Sequence, residues 1–403
     1  MIENKYKKLV NFKTNLNQPR HSWFDIKEGY ASGLVDNILK DLKISKKDGF
    51  ILDPFSGSGT TAIQSAILGY KSIGIEVNPF LHFLSKNKSI NFIKNLEIIK
   101  NKFYKNEIIH HDIFEIPKLS ISKKLFKNQL NEILKIKKWV SCIQDKKTRD
   151  LFFCVFLCSL DKASYAKKDG NGLKYPKNKK PENFYDVFTE NLKKFIDDIK
   201  KVKILSKPNI ILGNNLEILN NKKFIEKYKN NISLCLFSPP YANCFDYTEV
   251  YKTELWFGDF IKDYKDLKIL RNQSMSSHLN KTLNNVKTLK EIKLIIDKIS
   301  KKQLWSKKII GMLINYFHEM NLLMKLIFPL LSDKGKCVIV IGNSSYGNIA
   351  IPTDQIFEKL AKKIGYKKTS IIEARKLGTS SQQFKKIDDI KKLRESLVIL
   401  SKC

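Results

Sequence analysis

Short apolar runs that end on acidic or turn-forming residues alternate with stretches of helical spacing along most of the chain. Residues 50–55, FILDPF, read as a strand that stops on Asp53. The glycine-rich turn SGSGTT follows, then a helix, AIQSAILG, closed by Gly69, then a second strand, KSIGIEVNPF, that carries Glu76. Strand, tight turn, helix, strand is the opening of a parallel sheet with crossover helices. The same strand character recurs in NIILGNN (209–215), SLCLFSPP (233–240), KCVIVIGNSS (336–345) and ESLVILSK (395–402). Helical spacing lies between them, as in YFHEMNLLMKLIFPLL (316–331) and TDQIFEKLAKKIG (353–365). The pattern predicts an α/β protein built on a doubly wound, mostly parallel sheet with helices on both faces.

Two stretches exceed what such a sheet needs. Residues 91–208 lie between the second and third strands, where a crossover of roughly 10–15 residues suffices. This insertion is mostly helical and rich in Lys. Residues 242–310 form a second excess. The expected organisation is a catalytic domain of residues 1–90 with 209–403, interrupted by the helical insertion 91–208.

Composition adds limits. At 42% hydrophobic residues the chain is ordinary for a globular protein, it has no 18-residue apolar run, and MIENKYKKLVNFK lacks the apolar segment of a secretion signal. The missing apolar run implies no membrane partner, and the seven Cys, scattered without CxxC pairs, imply reduced cytoplasmic thiols and no metal site. The net charge of +34 favours a polyanionic partner. Part of that charge reflects a general bias to Lys, Asn and Ile. Only five of the 74 basic residues are Arg, so Arg20, Arg149, Arg271, Arg375 and Arg394 stand out, because Arg suits bidentate contacts in a way Lys does not.

Chemistry concentrates at two strand ends. In DPFSGSGTT, Gly57 and Gly59 allow positive φ and close backbone approach, so the turn can wrap a ligand beyond the strand's carboxyl end. Glu76 stands where a carboxylate grips ribose hydroxyls. Asp53 would repel a pyrophosphate, so a nucleoside without phosphate fits better. S-adenosylmethionine, with its sulfonium and ammonium charges, is the cofactor expected. The second site is SPPY, residues 238–241. Consecutive prolines end a strand abruptly and stiffen the backbone, leaving the acceptors of Ser238 and Pro239 for something other than protein.

DPFSGSGTT and SPPY together resemble the cofactor and catalytic motifs of the DNA amino-methyltransferases, which methylate N4 of cytosine or N6 of adenine. The resemblance covers most of the chain and implies a seven-stranded, Rossmann-like methyltransferase sheet. PRHSWFDIKEGYASGLV (19–35) is similar to the family's segment that closes over the methionine end of the cofactor, and GNNLEIL (213–219) to its third-strand motif. In that motif Asn214 replaces the usual Asp. Carried over to this chain, the cofactor contacts are His21, Trp23, Asp53, Pro54, Phe55, Gly57, Gly59, Thr60, Glu76, Asn78 and Asn214. The catalytic residues are Ser238, Pro239, Pro240 and Tyr241. The Ser238 hydroxyl and the Pro239 carbonyl would accept the two N–H bonds of an exocyclic amine, and Tyr241 would offer a ring for the base to stack on. The base must leave the duplex to reach them. Ser at the first motif position points to N4 of cytosine, with N6 of adenine as the alternative.

The large insertion is the first candidate for reading sequence in double-stranded DNA. Within KASYAKKDGNGLKY the expected DNA contacts are Lys162, Tyr165, Lys167, Lys168, Lys174 and Tyr175. Arg271 and His278 form a second candidate region. Arg375, Ser380, Ser381 and Gln382, in a polar loop at 373–383, form a third. A separately encoded restriction endonuclease is the expected genetic partner, and a monomer the expected state. An RNA guanine-N2 methyltransferase and a catalytically silent DNA-binding subunit are the competing readings.

Overall fold

The computed structural model of the protein describes residues 5–91, 96–104, 115–169, 172–282, 284–377 and 393–403. Among the described residues the strands are β1 (Phe50–Asp53), β2 (Ser72–Glu76), β3 (Lys167–Asp169), β4 (Gly172–Lys174), β5 (Asn209–Leu212), β6 (Ile232–Phe237), β7 (Leu331–Gly342), β8 (Ser344–Tyr346), β9 (Ile349–Ile351), β10 (Lys368–Lys376) and β11 (Arg394–Ser401). Seven of them form one sheet in the order β10-β11-β7-β6-β1-β2-β5, and β3-β4 and β8-β9 are separate hairpins. β1 pairs in parallel with β2 and β6, β2 with β5, and β6 with β7, while β11 runs antiparallel to both of its neighbours. The protein therefore has the Rossmann-like methyltransferase fold, with the chain's order reversing between β1 and β6.

Alternation along the strands divides the sheet's side chains between two cores. Ile51, Leu234, Leu236, Val338 and Val340 face helix Ser32–Asp41. Leu52, Cys235, Phe237, Ile339 and Ile341 face helices Lys308–Ile327 and Thr353–Ile364. β6 is buried at every position, as a central parallel strand should be.

The region 91–208 holds helices Leu130–Ser141, Lys146–Ala163 and Phe184–Lys201. They do not close a core of their own. Phe152, Phe156, Phe184 and Phe188 share one apolar cluster with Phe80 and Leu84 of helix Pro79–Lys88 and with Tyr251, Trp256 and Phe257. Cys154 and Cys158 are buried in this cluster. Arg20 clasps the insertion to the sheet domain. Its guanidinium is fully buried and donates to the carbonyls of Lys88 (2.6 Å), Ile90 (2.8 Å) and Val202 (2.6 Å). Asp198 accepts from the Arg20 backbone N–H (2.7 Å) and from the Trp23 indole (2.9 Å).

One element departs from the pattern reading. Residues 373–376, expected to begin a polar loop, belong to the edge strand β10. Lys and Glu on its open face dilute the apolar alternation, as is usual for edge strands.

The Lys168–Glu254 pair ties the β3-β4 hairpin to the core. The Nζ–Oε1 distance is 2.6 Å and both side chains are almost fully buried. Lys168→Met strands a carboxylate in the interior and should cost about 3–5 kcal/mol. Adding Glu254→Gln should recover most of that loss in denaturant titrations. Equal destabilisation by the single and double variants would show that the pair is not what holds the hairpin.

Candidate active site

The carboxyl ends of β1, β2 and β6 open into one cavity. Parallel pairing puts them there: Asp53 sits opposite Gly74, and Leu52 opposite Cys235. The turn after β1 supplies Pro54, Phe55, Ser56, Gly57, Ser58 and Thr60 to the lining. Gly57 and Gly59 have φ of 51° and 84°. A Cβ on Gly59 would lie 2.1 Å from Ser85 Oγ, so this residue lets the helix behind it pack. A Cβ on Gly57 would approach only the Phe55 carbonyl oxygen, at 4.0 Å, and would point into open space. That free space is a cradle for a ligand rather than for protein.

Two carboxylates are held dry beside this cradle. Asp53 accepts from the Phe55 N–H (2.9 Å), and Glu76 from the N–H groups of Gly57 (2.6 Å) and Asn78 (2.8 Å). Burial lifts both carboxyls to about 7, and the charge of Glu76 adds to the rise at Asp53. Ser56 Oγ, Ser58 Oγ and Asn78 Nδ2 are buried without a protein partner, and all three residues line the cavity. Phe55, Ile75, Val77 and Leu81 give it apolar walls. Acids without a cation, unmatched hydroxyl and amide groups and flat apolar walls fit S-adenosylmethionine, which is cationic at one end and a nucleoside at the other.

At the end of β6, Ser238 and Pro240 line the same cavity. Pro239 is buried beside them. Tyr241 points away from the expected position: it is 8% exposed and is not among the lining residues. Its ring lies so close to Gly342 that a Cβ there would be 2.7 Å from Tyr241 Cε2. The Tyr241 hydroxyl donates to Glu395 (2.5 Å), which also accepts from Arg375 Nε (2.5 Å). The Ser238 side chain lies beside that phenol. Tyr247 and Tyr251, stacked with centroids 6.4 Å apart, line the cavity instead, together with Phe55 and Tyr30.

Other expected contacts also lie elsewhere. His21 is buried against Gln64 (3.0 Å), with burial pushing its pKa down to about 3, and Trp23 stacks on Phe195. The chain that reaches the cavity from this segment is Ile26–Tyr30. Asn214 caps helix Asn215–Leu219 and donates to the Gln273 carbonyl (2.6 Å), whereas Gly213 and Asn215 line the cavity. Capping is a strong competing use of Asn at that position, and the sequence carries no sign of which Asn turns inward.

The expected DNA contacts divide similarly. Lys168 is consumed by Glu254, and Arg271 by Asp246 (Nε, 3.1 Å), Thr248 and Glu249. Lys162 and Lys174 are exposed, within 3.8 Å of Glu182 and 2.7 Å of Asp169. Lys167 is exposed, and the rings of Tyr165 and Tyr175 lie under Lys127 and Lys124, each at 4.1 Å. His278 is buried on the cavity wall, its Nδ1 accepting from the Asn280 N–H (3.2 Å) and its Nε2 unpartnered. Arg375 is held by Glu395, and Ser380, Ser381 and Gln382 lie outside the described residues.

The fold is that of the Rossmann-like methyltransferases. The profile of the DNA methylase family, which covers the N6 and N4 enzymes, matches residues 33–87, the span of the glycine turn and Glu76. The chain is similar over nearly its whole length to Type II methyltransferase M.BsoBI of Geobacillus stearothermophilus, at 28% identity across 98% of this chain and 88% of that protein. Type II methyltransferase M.AvaI of Nostoc is 25% identical across 94% of this chain and 85% of its own. A shorter likeness, 42% over 71 residues, joins it to Type II methyltransferase M2.MboI of Moraxella bovis. These likenesses, local in the family profile and nearly full-length in the relatives, all point to the DNA amino-methyltransferases.

Two outcomes follow for the cavity. Each raised carboxyl leaves the ligand-free folded state binding more protons than the unfolded chain, so stability should fall as pH rises from about 4 to about 7. A bound cation favours the ionised acids, so S-adenosylmethionine should bind more tightly as pH rises through about 7, releasing protons. Calorimetry in buffers of different ionisation enthalpy checks this; proton uptake would reverse the assignment. Gly57→Val, which fills the cradle, should abolish cofactor binding while circular dichroism remains that of the parent.

Proposed function

We propose that the protein is a sequence-specific methyltransferase of double-stranded DNA that moves a methyl group from S-adenosylmethionine to the exocyclic amine of a flipped base, N4 of cytosine. Its setting is a restriction–modification system with a separately encoded endonuclease, and it works as a cytoplasmic monomer. One observation carries the reading: Ser238 and Pro240 face the same cavity as Asp53, Gly57 and Glu76. Cofactor cradle and amine acceptor thus open onto each other. The full-length similarity to Type II methyltransferases supports the setting, and Ser rather than Asp before Pro-Pro supports cytosine.

When bound, S-adenosylmethionine supplies the methyl group on its positively charged sulfur. Asp53, Glu76 and Asn78 hold the cofactor's polar groups, and Gly57 lets the backbone approach. The amine of a base is a poor nucleophile because its lone pair is delocalised into the ring. Ser238 corrects this. Its side chain lies beside Tyr241, and a hydroxyl proton turned toward that phenol leaves the oxygen's lone pairs to the amine. The Pro239 carbonyl accepts the second N–H, and the two acceptors draw the nitrogen toward tetrahedral geometry. As the nitrogen takes the methyl group it loses one proton, which the Ser238–Tyr241–Glu395 chain carries off. Tyr241 is therefore a positioning residue, and Tyr247 is the ring on which the base stacks. Residues 91–208, with the β3-β4 hairpin, read the target sequence.

Ser238→Ala and Tyr241→Phe should each lower kcat roughly 10²-fold with cofactor affinity kept. Wild-type kcat in Tyr241→Phe would remove the hydroxyl relay. Single-molecule sequencing of DNA from a methylation-free host expressing the chain tests the whole reading. N4-methylcytosine in one short motif is the expected result. N6-methyladenine would overturn the base assignment and keep the mechanism, and unmodified DNA would refute the reading.

A further inference from the structure

The chain has four tryptophans. Trp23, Trp139 and Trp256 are buried, at 3%, 6% and 1% exposure, whereas Trp305 is 69% exposed. No folding requirement places an indole in water. Its surroundings are basic: Lys301, Lys302, Lys307 and Lys308 are all exposed, and among the described residues none of them forms an ion pair. Lys is most of the charge on this chain, so lysines by themselves carry little weight. The combination of free lysines with an unsupported flat ring is another matter.

The segment is also fixed in place beside the catalytic motif. Lys302 and Leu304 pack against Gly347 at the tip of the β8-β9 hairpin, where an added Cβ would lie 2.6 Å from Lys302 Cβ and 3.4 Å from Leu304 Cδ2. Gly347 has φ of 56°, which lets the hairpin turn there. One residue earlier, the Tyr346 hydroxyl donates to the Ala242 carbonyl (3.0 Å) and lies 3.1 Å from Cys244 Sγ. Ala242 follows Tyr241 directly. Lys302 and Leu304, which flank the exposed indole in the chain, are thus linked through this hairpin to the residue after SPPY.

We propose that Trp305 and its four lysines are a duplex-DNA contact beside the active site, in which the lysines hold phosphates and the indole stacks on base pairs next to the extruded base. The proposal rests on the DNA methyltransferase reading above. Charge complementarity selects the occupant: an apolar protein partner would leave the lysines unmatched, while DNA satisfies lysines and indole together. A base that leaves the stack exposes the faces of its neighbours, and an indole is large enough to cover one of them.

The other tryptophans are buried, so iodide quenching of intrinsic fluorescence reports on Trp305 in the intact protein. Adding a short duplex that carries the methylated motif should shield this emission, and Trp305→Phe versus Trp305→Ala separates ring from indole. Trp305→Ala should lower methylation of the paired duplex about tenfold or more, with thermal midpoint and cofactor affinity unchanged. It should leave near parental rates on a substrate whose target base faces an abasic site. Replacing the four lysines by Gln should reduce the slope of log affinity against log salt by up to about 0.9 per lysine that meets a phosphate. DNA that is methylated while Trp305 stays open to iodide, with Trp305→Ala at parental rate, overturns the proposal and spares the methyltransferase reading. Shielding that depends on protein concentration rather than DNA, with a dimer in sedimentation, also overturns it, by making a second copy the occupant. Failure of the parent chain to methylate any DNA refutes the reading beneath it instead.

Discussion

The parallel pairing of β1 with β2 on one side and β6 on the other is the constraint from which the site follows. Parallel strands all end on the same edge, so Asp53, Glu76 and Ser238 arrive at one edge although 185 residues separate the first from the last by number (238 − 53). The reversal of strand order between β1 and β6 keeps the crossover helices of the two halves apart and leaves a crevice above that edge. That edge is where the proposed cofactor turn and the proposed amine acceptor meet.

An open crevice would not lift two carboxyls to about 7. The roof does that. One part is Ile26–Tyr30, held through the buried Arg20 and Trp23 to Asp198 and Val202 of the insertion. The other part is residues 247–278, whose Tyr251 and neighbouring Trp256 belong to the apolar cluster that the insertion shares with the sheet domain. The helices between the second and third sheet strands therefore do more than extend the surface. They supply the core against which both roof segments are pinned, and they keep water from the acids.

Desolvated acids are a cost to the ligand-free fold, and the glycine turn limits it by donating the Gly57 N–H to Glu76. The acceptor side is organised by a different device. Arg375 on the edge strand holds Glu395, Glu395 holds the Tyr241 phenol, and the phenol engages Ser238. Four side chains on three strands or strand ends thus meet beside the proposed amine acceptor. A hydroxyl free to rotate would donate as readily as accept, and only acceptance helps an amine to attack.

How much was legible from residues depends on distance along the chain. DPFSGSGTT, Glu76 and SPPY could be read directly, because strand termination, positive φ and proline stiffness are local properties, and the topology that joins strand ends follows from parallel crossovers. Asn214, His21 and Tyr241 could not be placed that way. Whether Asn214 or Asn215 faces inward depends on a helix cap, and His21 and Trp23 were claimed by an insertion far off in sequence. Tyr241 turned to a strand near the chain's end, and Tyr247, Thr248 and His278 came into the cavity from a segment with no motif. The sequence by itself determined the chemistry at each strand end; tertiary packing decided the neighbours, since burial and long-range hydrogen bonds are set by what folds against a residue and not by what precedes it.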